Sequence, residues 1–353
     1  MQLGIIGLSS AGKSTVFNLM AEKQSTDNNK QKTLSATARI PDARIDFLSG
    51  FYHPKKTTYA QIEIIDVPSL IPSSSASYVF LDAIRQSDAL LYVLKAFKNK
   101  TINNDNDDVS PLQDLNSLNY ELLLADLDLI EKRIDRINKN KKKSQLTDEL
   151  TLLETLKKCL EQEAPLSSLN LSADEHSMLV NYNLLTLKPA LICVNISEDD
   201  ITERHYPDRD KLIAETMDRN VGVVELSAAI EQELALLEGD DKQMFMEELG
   251  IAESGISLIA RKIYESLHLI SFFTVGEDEV KAWTVLKGIF ARAAAGKIHS
   301  DIERGFIKAE VISYANFYEH KSLAVLREKG LLKLEGKEYV VNDGDIIHFR
   351  FNV

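Results

Sequence analysis

Eight residues near the amino terminus have the types and spacing of a phosphate-binding loop. Gly7 to Ser14 reads GLSSAGKS and fits the pattern G-x-x-x-x-G-K-[ST] between an apolar run and a helical stretch. In such a loop the glycines let backbone N–H groups surround the phosphates, Lys13 reaches the β- and γ-phosphates, and the Ser14 hydroxyl binds Mg²⁺. The pattern predicts a nucleotide site with Lys13 as its catalytic residue. The residues predicted to contact the nucleotide are Ser9, Ser10, Ala11, Gly12, Lys13, Ser14 and Thr15.

Further polar residues follow predicted strands farther along the chain. Asp66 ends the run QIEIID, and beside a phosphate-binding loop this carboxylate is predicted to be a second Mg²⁺ ligand. Asn195 and Glu198 follow the apolar run ALICV, and Ser227 and Ala228 follow VVEL. GTPase-like folds read the base at these positions, and guanine-specific members have N-K-x-D where this chain has N-I-S-E. These four residues are therefore predicted to bind the base.

The elements that position these residues alternate between strand and helix. Leu3 to Ile6 is a short apolar run before the loop, and helical spacing follows the loop. Other buried-looking runs, several of them separated by helical stretches, are Ile62 to Ile65, Ala89 to Leu94, Ala190 to Val194 and Val223 to Leu226. This order predicts an α/β fold of the P-loop GTPase-like type with a mostly parallel sheet.

Two segments depart from the alternation. Residues 101–186 begin with a polar linker and continue as two amphipathic stretches, NYELLLADLDLIEKRIDRI and LTDELTLLETLKKCLEQE. They predict an antiparallel α-helical hairpin inserted into the α/β domain. Residues 271–353 contain short β-rich runs bounded by Gly, Asn and Asp, which predicts a small separate domain. The predicted domains are 1–100 with 187–270 for the nucleotide-binding domain, 101–186 for the hairpin and 271–353 for the carboxyl-terminal domain.

The bulk composition narrows the class of protein. The formal net charge of −13 argues against bulk attraction to nucleic acid, so no DNA partner is expected, although a local patch such as residues 138–143 can bind phosphate. The longest apolar runs are too short to cross a bilayer, and the amino terminus lacks the features of a secretory signal. The expectation is a cytoplasmic protein without a membrane partner. Cys159 and Cys193 are far apart and predict packed thiols.

Beyond these motifs, the sequence resembles the YchF/Obg-like ATPase family. The likeness runs through NYELLLADLDLIEKRIDRI and LLTLKPALICVNISE, and it is most specific in FFTVGEDEVKAWTV, AAGKIHSDIERGFIKAEVISY and DGDIIHFRFNV. The resemblance implies a carboxyl-terminal TGS domain with a β-grasp-like fold, and a base motif that goes with ATP rather than GTP. It also implies slow Mg²⁺-dependent hydrolysis of ATP that regulates the ribosome, contacted through the hairpin and the TGS domain.

The chain departs from the family in the segments that would meet the γ-phosphate. The family has D-x-A-G-L where this chain has D-V-P-S-L, so Ser69 replaces a glycine and Pro68 lacks an N–H donor. Leu70 stands where Ras-like enzymes place a water-orienting glutamine, which implies another way of positioning water. Thr33 is the nearest candidate for the threonine that closes over Mg²⁺ in the family. Ser10 replaces a family asparagine that can help bind a monovalent cation. Binding of nucleotide is therefore better supported than its turnover.

Two alternatives to an ATPase stay open at this point. A nucleotide-binding adaptor with little or no hydrolysis is favoured by D-V-P-S-L, and it differs from an ATPase in turnover rather than in affinity. A GTPase is favoured by the fold alone and predicts that GTP outcompetes ATP. Glu198 disfavours the GTPase, because a guanine-specific site has the shorter aspartate in its place.

Several residues outside the nucleotide site have a structural as well as a functional interpretation. His299 has no nucleophile or metal-ligand spacing around it, which favours a structural or binding use over catalysis. Trp283 is predicted to be a core residue of the carboxyl-terminal domain. A set of basic residues can contact RNA phosphates or simply form a solvated surface, and those in the carboxyl-terminal domain can instead contact a protein partner. These are Lys139, Lys141, Lys142, Lys143, Lys297, Arg304 and Lys308.

Overall fold

A computed structural model describes residues 1–21, 33–70, 81–98, 109–139 and 146–352 of the 353-residue chain. The chain forms two compact units, the first from Met1–Thr37 and Glu63–Ile259 and the second from Ala38–Ile62 and Ala260–Val353. Among the described residues, no helix combines the length and the apolar composition that a membrane span needs.

Both units contain strands and helices. The strands are β1 Gln2–Gly7, β2 Leu34–Arg39, β3 Lys56–Thr58, β4 Gln61–Asp66, β5 Ala89–Ala96, β6 Ala190–Ile196, β7 Gly222–Leu226, β8 Leu269–Thr274, β9 Glu279–Leu286, β10 Phe306–Ser313, β11 Lys333–Glu335 and β12 Asp345–Phe351. The helices with defined bounds are α1 Lys13–Met20, α2 Ala43–Tyr52, α3 Pro111–Lys139, α4 Thr147–Glu161, α5 Ala173–Leu179, α6 Arg209–Asp218, α7 Ala228–Leu234, α8 Gly239–Glu248, α9 Gly255–Ser266, α10 Ala291–Ile298, α11 Ser300–Arg304, α12 Tyr314–His320 and α13 Leu323–Glu328. Short 3-10 turns lie at Leu166–Ser168, Val180–Tyr182, Leu185–Leu187 and Glu198–Asp200.

The first unit is built on a six-stranded sheet in the order β2–β4–β1–β5–β6–β7. β1 pairs in parallel with β4 and β5, and β6 pairs in parallel with β5 and β7. β5 reads ALLYVLKA and is buried along almost its whole length, as expected of a parallel strand covered on both faces. The register sets Asp66 beside Ile5 and Asn195 beside Leu226, so the carboxyl ends of these strands lie along one edge. The predicted α/β fold with a mostly parallel sheet is confirmed.

The predicted helical hairpin is formed by α3 and α4, which pack against each other. Their apolar residues recur at helical spacing, and Ile130, Ile137, Leu153 and Leu156 belong to one buried cluster. Lys139 is the last residue of α3 and is exposed. Lys141, Lys142 and Lys143 lie outside the described residues. The boundary between the hairpin and the α/β domain stays a prediction.

The second unit is built on a sheet in the order β11–β10–β12–β8–β9–β3. One face packs on α10, where Phe272, Ala294 and Val311 share a buried cluster. β3 pairs in parallel with β9, and this pairing satisfies backbone groups of both strands. Residues 38–62 thus belong to the second unit, which differs from their predicted place within a 1–100 segment. The TGS assignment of this unit stays a prediction.

Candidate functional site

The phosphate-binding loop connects β1 to α1 through two glycines in close contact with their surroundings. A Cβ atom on Gly7 would lie 2.6 Å from the carbonyl oxygen of Val93. A Cβ atom on Gly12 would lie 2.2 Å from Nδ2 of Asn195, and Gly12 has a φ of 88°. Real Cβ atoms essentially never lie within 3.0 Å of such neighbours, so steric crowding explains why both positions of the motif are glycine.

The first turn of α1 presents backbone donors. Gly12 is the residue before α1, and no described side chain accepts a hydrogen bond from the first N–H groups of this helix. The first turn also contains no acidic residue. Ser10 has a φ of 64°, in the left-handed region where asparagine is enriched several-fold among non-glycine residues. Free N–H groups and the positive end of a helix favour an anion at this place.

Lys13 and Ser14 both contact Asp66 at the end of β4. Nζ of Lys13 lies 2.5 Å from Oδ1 of Asp66 and also donates to the carbonyl oxygen of Val67. Oγ of Ser14 donates to Oδ2 of Asp66 over 3.1 Å. Lys13 and Asp66 are only 5% and 4% exposed, so their attraction is little screened by water. The structure therefore brings together the predicted catalytic lysine and the two predicted metal ligands.

Asn195 joins the phosphate-binding loop to the loop after β7. Its Nδ2 donates to the carbonyl oxygen of Ala11 over 3.1 Å, and its Oδ1 accepts from the N–H of Ala228 over 2.9 Å. The side chain is 4% exposed. Since both ends of the amide bind backbone groups, this residue positions the two loops relative to each other. Its predicted contact with the base stays a prediction.

Glu198 and Ser227 lie after neighbouring strands, as their spacing predicted. Glu198 begins a 3-10 turn capped by Ser197 and is exposed, and its carboxylate makes no hydrogen bond or ion pair with another described residue. Ser227 is 2% exposed and immediately precedes α7. Of these residues, Glu198 has the carboxylate that is open to a ligand.

Glu225 on β7 anchors the segment that follows Glu198, and the sequence analysis missed it. Oε1 of Glu225 accepts from the hydroxyl of Tyr206 and from Nε of Arg209, each over 2.7 Å. Burial and the bond to Glu225 raise the pKa of the Tyr206 hydroxyl, and the same carboxylate raises the pKa of Arg209. In the sequence, only the acidic residue inside the apolar run VVEL indicated this contact. Its partners lie 16 and 19 residues away, too far to be recognised from local spacing.

The side chain of Leu70 packs in the core of the first unit, and its backbone pairs with the start of the phosphate-binding loop. It is 1% exposed and shares a buried cluster with Leu81 and Ile84. Its N–H donates to the carbonyl oxygen of Gly7 over 3.2 Å, and Pro68 beside it is buried too. The position therefore serves the packing of the sheet, which explains an apolar residue where a Ras-like enzyme has glutamine.

Leu70→Gln is expected to destabilise the protein. The substitution removes a buried apolar side chain and places an amide in the core. It should therefore lower the free energy of unfolding by about 2–4 kcal/mol. Urea unfolding measures this change, and Leu236→Gln is the matched control because Leu236 is 73% exposed. A glutamine that left the free energy of unfolding unchanged would show that the side chain at this position can leave the core.

Several other predicted residues are structural or lie apart from the loop. His299 is the residue before α11, and its Nδ1 accepts from the N–H of Asp301 over 3.2 Å, which favours the structural interpretation. Trp283 packs on Phe272 with ring centroids 6.3 Å apart. Thr33 is exposed and has no hydrogen bond to Ser14 or Asp66 in the described structure. Lys297, Arg304 and Lys308 are exposed, and both of their interpretations stay predictions.

Both cysteines are buried, and neither forms a disulfide. Burial raises the pKa of the Cys193 thiol on β6, and the nearby carboxylate of Glu231 acts in the same direction. A high pKa and lack of exposure keep the thiol protonated and unreactive. Among the described residues, no group of three or more His, Cys, Asp or Glu side chains could hold a metal ion. The assignment of Ser14 and Asp66 as Mg²⁺ ligands stays a prediction.

Known proteins share both halves of this architecture. Residues 2–125 match the family described as 50S ribosome-binding GTPase, and residues 269–352 match the YchF-GTPase C-terminal family, described as a protein of unknown function. The chain is 39% identical over 364 residues to the ribosome-binding ATPase YchF of Bacillus subtilis strain 168, covering 99% of each protein. The chain belongs to the YchF family.

Other YchF proteins extend this match. The ribosome-binding ATPase YchF of Escherichia coli O157:H7 is 37% identical over 361 residues, again covering 99% of each protein. The solved structure of the Schizosaccharomyces pombe YchF GTPase superposes with a TM-score of 0.88 at 28% identity, covering 99% of this chain and 97% of that one. The YchF fold therefore extends over essentially the whole chain, with a P-loop GTPase-like domain and a carboxyl-terminal domain.

Proposed function

We propose that this YchF-family chain binds ATP in preference to GTP and hydrolyses it slowly to ADP and phosphate. The observation that carries the proposal is the pairing of Asn195, whose amide is bound to Ala11 and Ala228, with Glu198, whose carboxylate is open. Selection of the base then falls on the carboxylate. A glutamate is one methylene longer than the aspartate of guanine-specific sites. Its carboxylate is therefore displaced from the position that accepts hydrogen bonds from N1 and N2 of guanine.

The residues around the phosphate-binding loop fit Mg²⁺ as the cofactor. The hydroxyl of Ser14 and the carboxylate of Asp66 lie 3.1 Å apart, and both are hard oxygen ligands of the kind that Mg²⁺ takes. When bound with the nucleotide, Mg²⁺ supplies positive charge that stabilises the β- and γ-phosphates. Lys13 supplies a second positive charge after its bonds to Asp66 and Val67 are exchanged for bonds to phosphate oxygens.

Competition binding tests the base preference. Labelled ATP is bound at equilibrium in Mg²⁺ and competed with ADP, GTP and GDP, and Lys13→Ala is the control for the loop. We expect ATP and ADP to compete with each other, and GTP to bind at least about tenfold more weakly, a difference of about 1.4 kcal/mol. Stronger competition by GTP would favour the GTPase, the function for which the Schizosaccharomyces pombe relative is named.

Glu198→Asp is expected to shift the preference towards guanine. Shortening the side chain restores the spacing of a guanine-reading carboxylate, so the ratio of GTP to ATP affinity should rise by about tenfold. The same competition assay measures the ratio. Asp199→Glu changes the adjacent exposed residue by one methylene and should leave the ratio unchanged. An equal response of the two variants would remove the assigned role of Glu198.

Single-turnover hydrolysis separates a slow ATPase from a nucleotide-binding adaptor. The adaptor is favoured by Pro68, which cannot donate an N–H, and by Leu70, which is buried in the core. Phosphate release from ATP is measured with wild type and with Lys13→Ala. Release above the variant supports the ATPase, whereas equal traces support the adaptor.

The ribosome is the proposed partner, and the cytoplasm the proposed location. The bacterial relatives are named ribosome-binding ATPases, and Lys139 places an exposed positive charge at the end of α3. Positive side chains that neutralise RNA phosphates release counterions, so the affinity for the ribosome should fall as the salt concentration rises. Co-sedimentation with ribosomes at increasing salt, in ATP and in ADP, tests this proposal. No co-sedimentation in either nucleotide at low salt would contradict it.

A further inference from the structure

A cavity of about 630 Å³ lies in the first unit, between the sheet and α3. Tyr92 of β5, Ile192 of β6 and Leu115 of α3 contribute apolar lining. Pockets for small molecules commonly have volumes of about 300–1,000 Å³ and mostly apolar walls with a few polar groups. The size and lining therefore fit a small organic ligand.

The cavity is separate from the nucleotide site. It is lined by Ala190, the first residue of β6, and by Val221, the residue before β7. Asn195 and Ser227 lie at the opposite ends of these two strands. Because the strands are parallel, the cavity lies towards their amino ends and the phosphate-binding loop lies at their carboxyl ends. A ligand in the cavity would not overlap a bound nucleotide.

Tyr92 is a buried tyrosine in the lining of this cavity. The residue is 6% exposed, and its hydroxyl makes no hydrogen bond with any described residue. Within the described chain, the fully enclosed side-chain atom that lacks a partner is the hydroxyl of Tyr52, so the Tyr92 hydroxyl has open space beside it. Burial raises the pKa of Tyr92, which keeps the hydroxyl protonated as a donor. A buried donor without a partner favours a ligand that brings an acceptor.

Lys188 adds a positive charge to the lining. Its Nζ donates to the carbonyl oxygen of Ser87 over 2.6 Å, and no carboxylate of the described residues forms a salt bridge with it. Arg219, the other cation of the lining, is paired with Glu215 over 2.7 Å. Burial lowers the pKa of Lys188 more than the nearby carboxylates of Asp88 and Asp126 raise it, so a further anionic partner would stabilise its charged form.

The acidic residues of the lining limit the charge of the ligand. Glu121, Glu163 and Glu215 line the cavity together with Lys188 and Arg219, so a molecule with several negative charges would meet more carboxylates than cations there. The lining matches one negative charge at Lys188, an acceptor at Tyr92 and an apolar body between β6 and α3. We propose that this cavity is a second binding site, which takes a small molecule with an apolar body and a single anionic group.

Two fluorescent probes that differ by one charge test the proposal on the full chain. One is 1-anilinonaphthalene-8-sulfonate, which has an aromatic body and one sulfonate, and the other is uncharged N-phenyl-1-naphthylamine. We expect Lys188→Met to weaken binding of the sulfonate probe by roughly tenfold and to leave the uncharged probe within about twofold. Lys211→Met is the matched control, because Lys211 is exposed and paired with Asp208. Equal effects of Lys188→Met on both probes would overturn the anionic assignment.

Filling the cavity tests its location. Asn119 lines the cavity from α3, and Asn119→Trp should reduce binding of both probes by at least about tenfold while circular dichroism shows an intact fold. Tyr92→Phe should weaken the sulfonate probe by about threefold, since one hydrogen bond is lost. Lys13→Ala should leave both probes unchanged. Unaltered probe binding to Asn119→Trp, or displacement of the probes by ATP, would overturn the proposal of a second site without touching the proposed nucleotide site.

Discussion

Gly12→Ala is expected to lower the affinity for ATP by at least about a hundredfold, a change of about 2.7 kcal/mol. A Cβ atom at this position would lie 2.2 Å from Nδ2 of Asn195. Asn195 cannot move away freely, because its amide is bound both to Ala11 and to Ala228. The φ of 88° adds a cost of about 1–2 kcal/mol for any residue with a Cβ atom. The substitution therefore displaces the phosphate-binding loop and the loop after β7 together.

Equilibrium binding of labelled ATP measures this effect, with Gly50→Ala as the matched control. A Cβ atom on Gly50 meets nothing within 4 Å, and Gly50 lies within α2, where alanine is the better helix former. The control should bind ATP like the wild type. Thermal unfolding of both variants separates a local change in the loop from loss of the fold. ATP affinity within fivefold of wild type for Gly12→Ala would show that the loop can adapt.

The parts of the site that depend on short-range spacing could be predicted from the sequence. The loop from Gly7 to Ser14 requires glycines, a lysine and a hydroxyl at fixed separations, and each separation is visible in the chain. Asp66 could be added because a carboxylate at the end of an apolar strand lies at the carboxyl edge of a parallel sheet. The contacts of Lys13 and Ser14 with Asp66 agree with that placement.

The features that were missed depend on contacts between distant residues. Residues 56–58 read KTT, which has neither an apolar alternation nor the length of a typical strand, so their pairing with β9 left no local signal. The two backbone partners of Asn195 are 184 and 33 residues away. The burial of Leu70 depends on the packing of the whole sheet. Local patterns cannot supply such pairings, because register and packing are settled by the tertiary structure.

Asp126 is a buried acid whose position on α3 carried a signal in the sequence. Leu122 and Ile130, one turn away on either side, are fully buried, so a charged residue between them on the same helix face requires partners. Oδ1 accepts from Nη1 of Arg85 over 2.8 Å, and Oδ2 accepts from the N–H of Thr186 over 2.8 Å. Arg85 also donates to the carbonyl oxygen of Ala125 over 2.9 Å. Asp126 thereby joins the hairpin to the segment before β5 and to the segment before β6.

Asp126→Ala is expected to lower the free energy of unfolding by about 3–5 kcal/mol, because it leaves the guanidinium of Arg85 and buried N–H groups without their acceptor. Urea unfolding measures the change. Asp128→Ala is the matched control on the same helix: Asp128 is 48% exposed and pairs with Lys132, so its loss should cost at most about 1 kcal/mol. If the charge pair is the cause, adding Arg85→Met to Asp126→Ala should cost less than the sum of the two single substitutions. Equal losses for Asp126→Ala and Asp128→Ala would show that the buried pair does not hold the hairpin to the sheet.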